Sequence, residues 1–166
     1  MKNERLAYFL AFLAAAAAGS ALHFLYAAVP HPLTALIAPV NESVWEHLKL
    51  LYYPTLAAAF VLSRRTRDKN RLWSGFFAAI LAMPAALLGA YYTLGGGFGV
   101  EGLWLDIGLY VLTMAGGFAL ALALYRSGRA ARWGGVLLML VIFYGAFLVV
   151  FSFAAPGLPI FTPPEP

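Results

Sequence analysis

The chain of 166 residues contains no cysteine. Disulfides, thiolate chemistry and cysteine-ligated zinc are therefore excluded, and the redox character of its compartment leaves no mark on it. Charge is nearly as scarce. Asp, Glu, Lys and Arg make up 11% of the residues, against about 25% in soluble domains. That scarcity excludes a soluble globular enzyme. No segment alternates apolar and polar residues long enough to build a membrane barrel.

What is present is apolar. Hydrophobic residues reach 63% and the mean hydropathy is +0.81. Five apolar runs, 5–28, 43–63, 71–93, 102–125 and 132–153, each match the roughly 20 residues that cross a hydrocarbon layer as a helix. The expected fold is all-α: a polytopic five-helix transmembrane bundle forming one domain over 1–166, with an outer tail at 154–166. The first run has a charged start and the Ala-rich stretch Ala14–Ala18, as a secretory signal does. Its length and the late His23 favour an uncleaved first helix instead.

Ten of the eleven Lys and Arg residues flank these runs in three clusters: Lys2 and Arg5; Arg64, Arg65, Arg67, Lys69 and Arg71; Arg126, Arg129 and Arg132. The net charge of +4 and pI near 9.5 therefore point to topology and lipid headgroups, not to nucleic acid. The clusters occupy alternate loops, which predicts an N-terminus inside and a C-terminus outside. Trp45 and Trp104 then fall near the outer ends of their runs, and Trp73 and Trp133 near the inner ends, as an aromatic belt requires. Pro54 and Pro84 are expected to kink their helices. Gly116, Gly117, Gly134 and Gly135 are expected to let helices close on each other, which permits a homo-oligomer or a membrane-protein partner beside the bilayer itself.

Ionisable residues inside a span are costly and mark sites. They are His23 in the first run, Glu46, His47 and Lys49 in the second, and Asp106 in the fourth, with Glu42 at the start of the second. By the predicted topology all lie in the outer half. Ser43-x-x-Glu46 fits a capping box, and acidic residues suit a helix start. Lys49 and the adjacent Glu46 and His47 need a further reason. On a helix Glu42, Glu46, Lys49 and Tyr53 share a stripe about 60° wide, with His47 about 100° away from Glu46. Glu46 and Lys49 can pair at i, i+3. The arrangement is not the His-Glu-x-x-His of zinc proteases, so a site here is assembled across helices.

The first, second and fourth helices are expected to meet around it. His23, His47 and Asp106 offer the nitrogen and oxygen donors that a divalent metal such as zinc takes. If the protein is an enzyme, Glu46 is the general base and Lys49 the anion-binding group, with Glu42, Tyr53 and Tyr110 lining the pocket. Lys49 counts against the metal, since a nearby cation weakens it. Asp106, Tyr110, Thr113 and Gly117 form a second stripe, which either lines a cavity or packs with Asp106 bonded to Lys49.

The segment Pro39-Val40-Asn41-Glu42-Ser43-Val44-Trp45-Glu46-His47-Leu48-Lys49-Leu50 resembles the signature of a family of small bacterial multi-pass membrane proteins classed as a domain of unknown function. His23-Phe24-Leu25-Tyr26, Leu105-Asp106, Phe151-Ser152-Phe153 and the Pro156–Phe161 ending are similar too. Ala154-Ala155-Pro156 departs from the adjacent prolines expected there. The resemblance implies a bacterial inner-membrane location and no defined activity. The function expected is an integral membrane protein with an outward-facing polar pocket for a small ligand, ion or lipid headgroup. Two alternatives stay open: a metal- or acid/base-dependent membrane hydrolase or transferase, and a structural or assembly subunit whose polar cluster is a packing network.

Overall fold

A computed structural model describes residues 3–163. Lys2, counted with the first cationic cluster, and residues 164–166 of the expected tail lie outside the described residues. Six α-helices follow in order: α1 (Glu4–Ala28), α2 (Pro32–Ala35), α3 (Val44–Ser63), α4 (Lys69–Tyr92), α5 (Leu103–Ser127) and α6 (Gly134–Phe153).

Local chemistry sets the helix ends. The Asn3 side chain accepts from the Leu6 N–H at 3.2 Å and opens α1. Asp68 does the same for Arg71 at 3.0 Å and opens α4. Each side chain satisfies one of the amide donors that a helix start leaves unpaired. At the end of α5, Gly128 takes a left-handed conformation (φ 68°) that closes the helix. Helices α3 and α4 continue through Pro54 and Pro84. Past α4 the chain widens into a π-helical turn, Thr93–Gly97.

Four helical stretches are long and apolar enough to cross a membrane: Glu4–Ala28, Lys69–Gly97, Leu103–Ser127 and Ala131–Phe153. The expectation of five spans reduces to four by this measure. The run at 43–63 does form a helix, α3, but Glu46, His47, Lys49, Tyr52, Tyr53 and Thr55 make it too polar to count with the others. Its polarity is turned inward. Glu46, Lys49, Tyr52 and Thr55 are all buried.

Helix α3 packs against α1, α4 and α6; α4 packs against α3, α5 and α6; α1 closes on α5. So α3 and α4 form the centre, with α1 and α5 on one flank and α6 on the other. Leu48, Leu51, Phe76, Ile80, Met83, Met114 and Leu148 fill the core. Small residues set the close approaches. A Cβ on Gly75 would stand 2.8 Å from the Ala121 carbonyl oxygen, and one on Gly117 would collide with Met83. Hydroxyls tie helices to backbone carbonyls of their neighbours: Tyr52 Oη donates to Val141 at 3.0 Å, and Tyr110 Oη to Ala16 at 3.0 Å. Outside, Phe9, Leu112, Ile142 and Phe153 are exposed. Such a surface suits hydrocarbon, not water. The chain is a polytopic membrane protein by these features.

The two ends of the bundle differ. Arg126 Nε lies 3.3 Å from Glu4 Oε2, joining the end of α5 to the start of α1. Asn70 Nδ2 donates to the Ala131 carbonyl at 3.3 Å, joining the start of α4 to the α5–α6 connection. The described cationic segments therefore share one end. The other end holds the C-terminal turn of α1, the 29–43 connection, the start of α3 and the tail.

Candidate functional site

The connection after α1 is not an idle loop. His31 Nδ1 accepts from the Leu33 N–H at 3.1 Å, and Thr34 Oγ1 donates back to Val29 at 2.6 Å. These bonds fold Pro32–Ala35 into a single helical turn that covers α3. Two backbone carbonyls of this cover, Ala35 and Ala38, point at the Lys49 ammonium, at 2.7 and 3.1 Å. Its third bond goes to Glu46 Oε2 at 2.8 Å. An ammonium carries three donors, so Lys49 is fully satisfied.

Glu46 is satisfied as well. Oε2 also accepts from the Val40 N–H at 2.9 Å, and Oε1 accepts from Ser152 Oγ at 2.6 Å. The two side chains are 2% and 0% exposed. Low local dielectric strengthens each bond in such a network and makes any missing partner expensive. The network joins α3, the α1–α3 connection and α6. The capping box is therefore only half present. Ser43 Oγ accepts from the Glu46 N–H at 3.4 Å, but the Glu46 carboxylate goes to Val40. Asn41 Oδ1 takes the Ser43 N–H at 2.9 Å instead.

A second cluster lies beside the first. Ser43 is extended (ψ 150°), so α3 begins only after it. Glu42 consequently leaves the helical stripe projected for it and turns toward the histidines. Glu42 Oε2 stands 3.4 Å from His47 Nε2 and 4.0 Å from His23 Nε2. The two imidazole rings are 5.1 Å apart. One donor atom from each of His23, Glu42 and His47 falls within 4.8 Å of the others. His47 Nδ1 lies 2.8 Å from the Ser43 carbonyl, to which it donates. That fixes the ring and turns Nε2 toward Glu42. His23 Nδ1 is buried without a hydrogen-bond partner among the described residues. Glu42 is 67% exposed and both histidine side chains 29%, so the cluster opens to the surface.

Residues 4–164 match the family of unknown function DUF6512. The chain belongs to that family. No curated protein and no solved structure matches it.

The family's domain thus includes both clusters, and the structure divides the residues singled out from the sequence between them. It brings His23 and His47 together, with Glu42 as third donor. Asp106 is exposed on the first turn of α5 and falls outside that group. Lys49 bonds to Glu46 and two carbonyls, not to Asp106. Tyr53 Oη donates to the Leu36 carbonyl at 2.7 Å and Tyr110 to Ala16, so both tie backbone segments together. Ser152 and the Ala35 and Ala38 carbonyls were absent from the sequence-derived set. Backbone acceptors carry no side-chain signature. Only the demand of a deeply placed lysine for three acceptors points to them.

Proposed function

We propose that this DUF6512 protein is a multi-pass membrane protein that binds a divalent transition metal, zinc above all, through His23, Glu42 and His47. The observation that carries this reading is the convergence of three donor atoms within 4.8 Å from α1, the α1–α3 connection and α3. Zinc–ligand bonds of about 2.0–2.1 Å place tetrahedral donors about 3.3–3.4 Å apart. Glu42 and His47 already stand at 3.4 Å, while His23, 4.0 Å from Glu42 and within 4.8 Å of both, has to move inward to reach that. A backbone carbonyl behind His47 is the outer support that metal-binding imidazoles ordinarily have. Among a small ligand, an ion and a lipid headgroup, this donor set favours the ion. The Lys49 charge does not oppose it strongly, because Glu46 neutralises it inside the neighbouring network.

Three protein donors leave one coordination position open, as in catalytic zinc sites. That favours, as a second reading, a metal-dependent hydrolase or transferase in which the metal polarises bound water. In that reading Glu46 and Lys49 keep a packing role, since their oxygens and protons are already engaged.

The topology belongs to the same proposal. Helix α3 is 20 residues long, about 30 Å at 1.5 Å per residue, and α1, α4 and α6 shield its polar groups from lipid. It crosses as a fifth span. The cationic end faces the cytoplasm and the histidine end faces outward, in a bacterial inner membrane.

Zinc titration of the detergent-purified protein, read by elemental analysis after desalting, tests the site. One zinc per chain is expected, lost in Glu42→Gln and in the His23→Ala/His47→Ala double variant and kept in Glu46→Gln. Circular dichroism checks that each variant is helical. A helical wild type with no zinc above the buffer blank, or a double histidine variant that keeps it, overturns the proposal.

A further inference from the structure

The cationic end of the bundle carries a feature that the metal reading does not use. Between α3, α4 and α6 runs an open groove of about 630 Å³, within the range of roughly 300–1,000 Å³ typical of small-molecule sites. Its wall on α4 is graded. Lys69, Trp73 and Phe77 follow at i, i+4 and i+8, one above another on a single face. They span about 12 Å along the helix. Lys69, at the mouth, makes no ion pair among the described residues, whereas the nearby Arg71 is held by Asp68 at 3.0 Å. Trp73 stacks on Phe77, with ring centroids 5.4 Å apart. Deeper in, Leu56 and Leu138 complete an apolar wall.

Two adjacent glycines shape the opposite side. A Cβ on Gly134 would come within 2.7 Å of Ser74 Oγ, so this glycine lets α6 start against α4. Gly135 meets nothing within 4 Å; its missing side chain leaves the groove open. A cation at the headgroup level, an indole at the interface and an apolar floor below follow the order of charge, ester and acyl chain in a phospholipid. The α3–α4 connection adds Arg64, Arg65 and Arg67 around the same end, so the local field selects a negative headgroup.

We infer that this groove is a binding site for one anionic phospholipid, its phosphate at Lys69 and Asn70 and one acyl chain between Trp73, Phe77, Leu56 and Leu138. A Cβ at Gly135 meets nothing within 4 Å, so Gly135→Leu extends an apolar side chain into the groove, and Lys69→Gln removes the cation without altering the wall. The two variants therefore separate headgroup from chain.

The test is native mass spectrometry of the full chain released from detergent micelles. The micelles carry an equimolar mixture of phosphatidylglycerol and phosphatidylcholine. Wild type is expected to retain one phosphatidylglycerol in preference to phosphatidylcholine. Lys69→Gln should lower that retention about fivefold, the effect of one cation near an anionic headgroup, and Lys69→Arg should restore it. Gly135→Leu should abolish the single retained lipid while the helical circular dichroism stays unchanged. Equal retention of both lipids, or retention that survives Gly135→Leu, overturns the inference. So does a species with a second copy of the chain in place of the lipid.

Discussion

At the scale of single residues, Glu46 and Lys49 set the energetics of the end of the bundle that carries the histidines. Removing one member of a buried ion pair leaves an uncompensated charge and costs about 3–5 kcal/mol, while replacing both by apolar or neutral groups costs far less. Lys49→Met alone should therefore lower the thermal unfolding midpoint in detergent markedly, and Lys49→Met/Glu46→Gln should recover much of the loss. A double variant as unstable as the single one would show that the loop carbonyls of Ala35 and Ala38, not the glutamate, are what Lys49 serves. The i, i+3 pairing was legible from spacing alone. The role of Glu42 was not. Projecting it onto a helix put it beside Glu46, whereas the extended Ser43 ends the helix early and swings Glu42 to the other cluster. Glu42 thus stands at the candidate metal site where the sequence had suggested Asp106.

At the scale of elements, apolar run length located the long helices to within a few residues, because a span of hydrocarbon leaves little freedom in where polar residues fall. Composition could not reveal that α3 is lined by its own neighbours. A polar helix at the centre of a bundle and a weakly apolar helix at its edge have the same residues and differ only in what surrounds them. Glycine gave a similar half-answer. Of the adjacent pair in α5, Gly117 meets Met83 whereas Gly116 faces open space. Packing therefore predicts contrasting substitutions. Gly75→Leu drives a side chain into the α5 backbone at Ala121 and should depress the unfolding midpoint strongly. Gly116→Leu should leave it nearly unchanged. Equal effects at the two positions, followed by thermal scans in the same detergent, would contradict the close contact of α4 with α5 at Gly75.

At the scale of the molecule, the absence of cysteine becomes useful. Single cysteines can be introduced with no background. In intact bacterial cells an impermeant maleimide should label Gly97→Cys and Gly157→Cys, and should reach Arg67→Cys and Arg129→Cys only after permeabilisation. Labelling of Arg67→Cys from outside would mean that α3 turns back without crossing, and the five-span proposal would fall. The charge asymmetry itself was readable in the sequence. What the packing adds is that Glu4 and Arg126, and Asn70 and Ala131, join those segments directly.

The Glu46–Ser152 bond has a consequence for biogenesis. The two residues are 106 positions apart, and α6 is the last of the six helices in chain order. As the nascent chain enters the bilayer, Lys49 finds Glu46 and the folded-over connection early, within its own first pair of long helices. One carboxylate oxygen then stays without its serine until synthesis has passed α6. A ribosome that stops short of it releases a bundle with an acceptor still exposed in a place built to be dry. Such a half-finished chain lacks one partner of a buried carboxylate, a loss that costs stability.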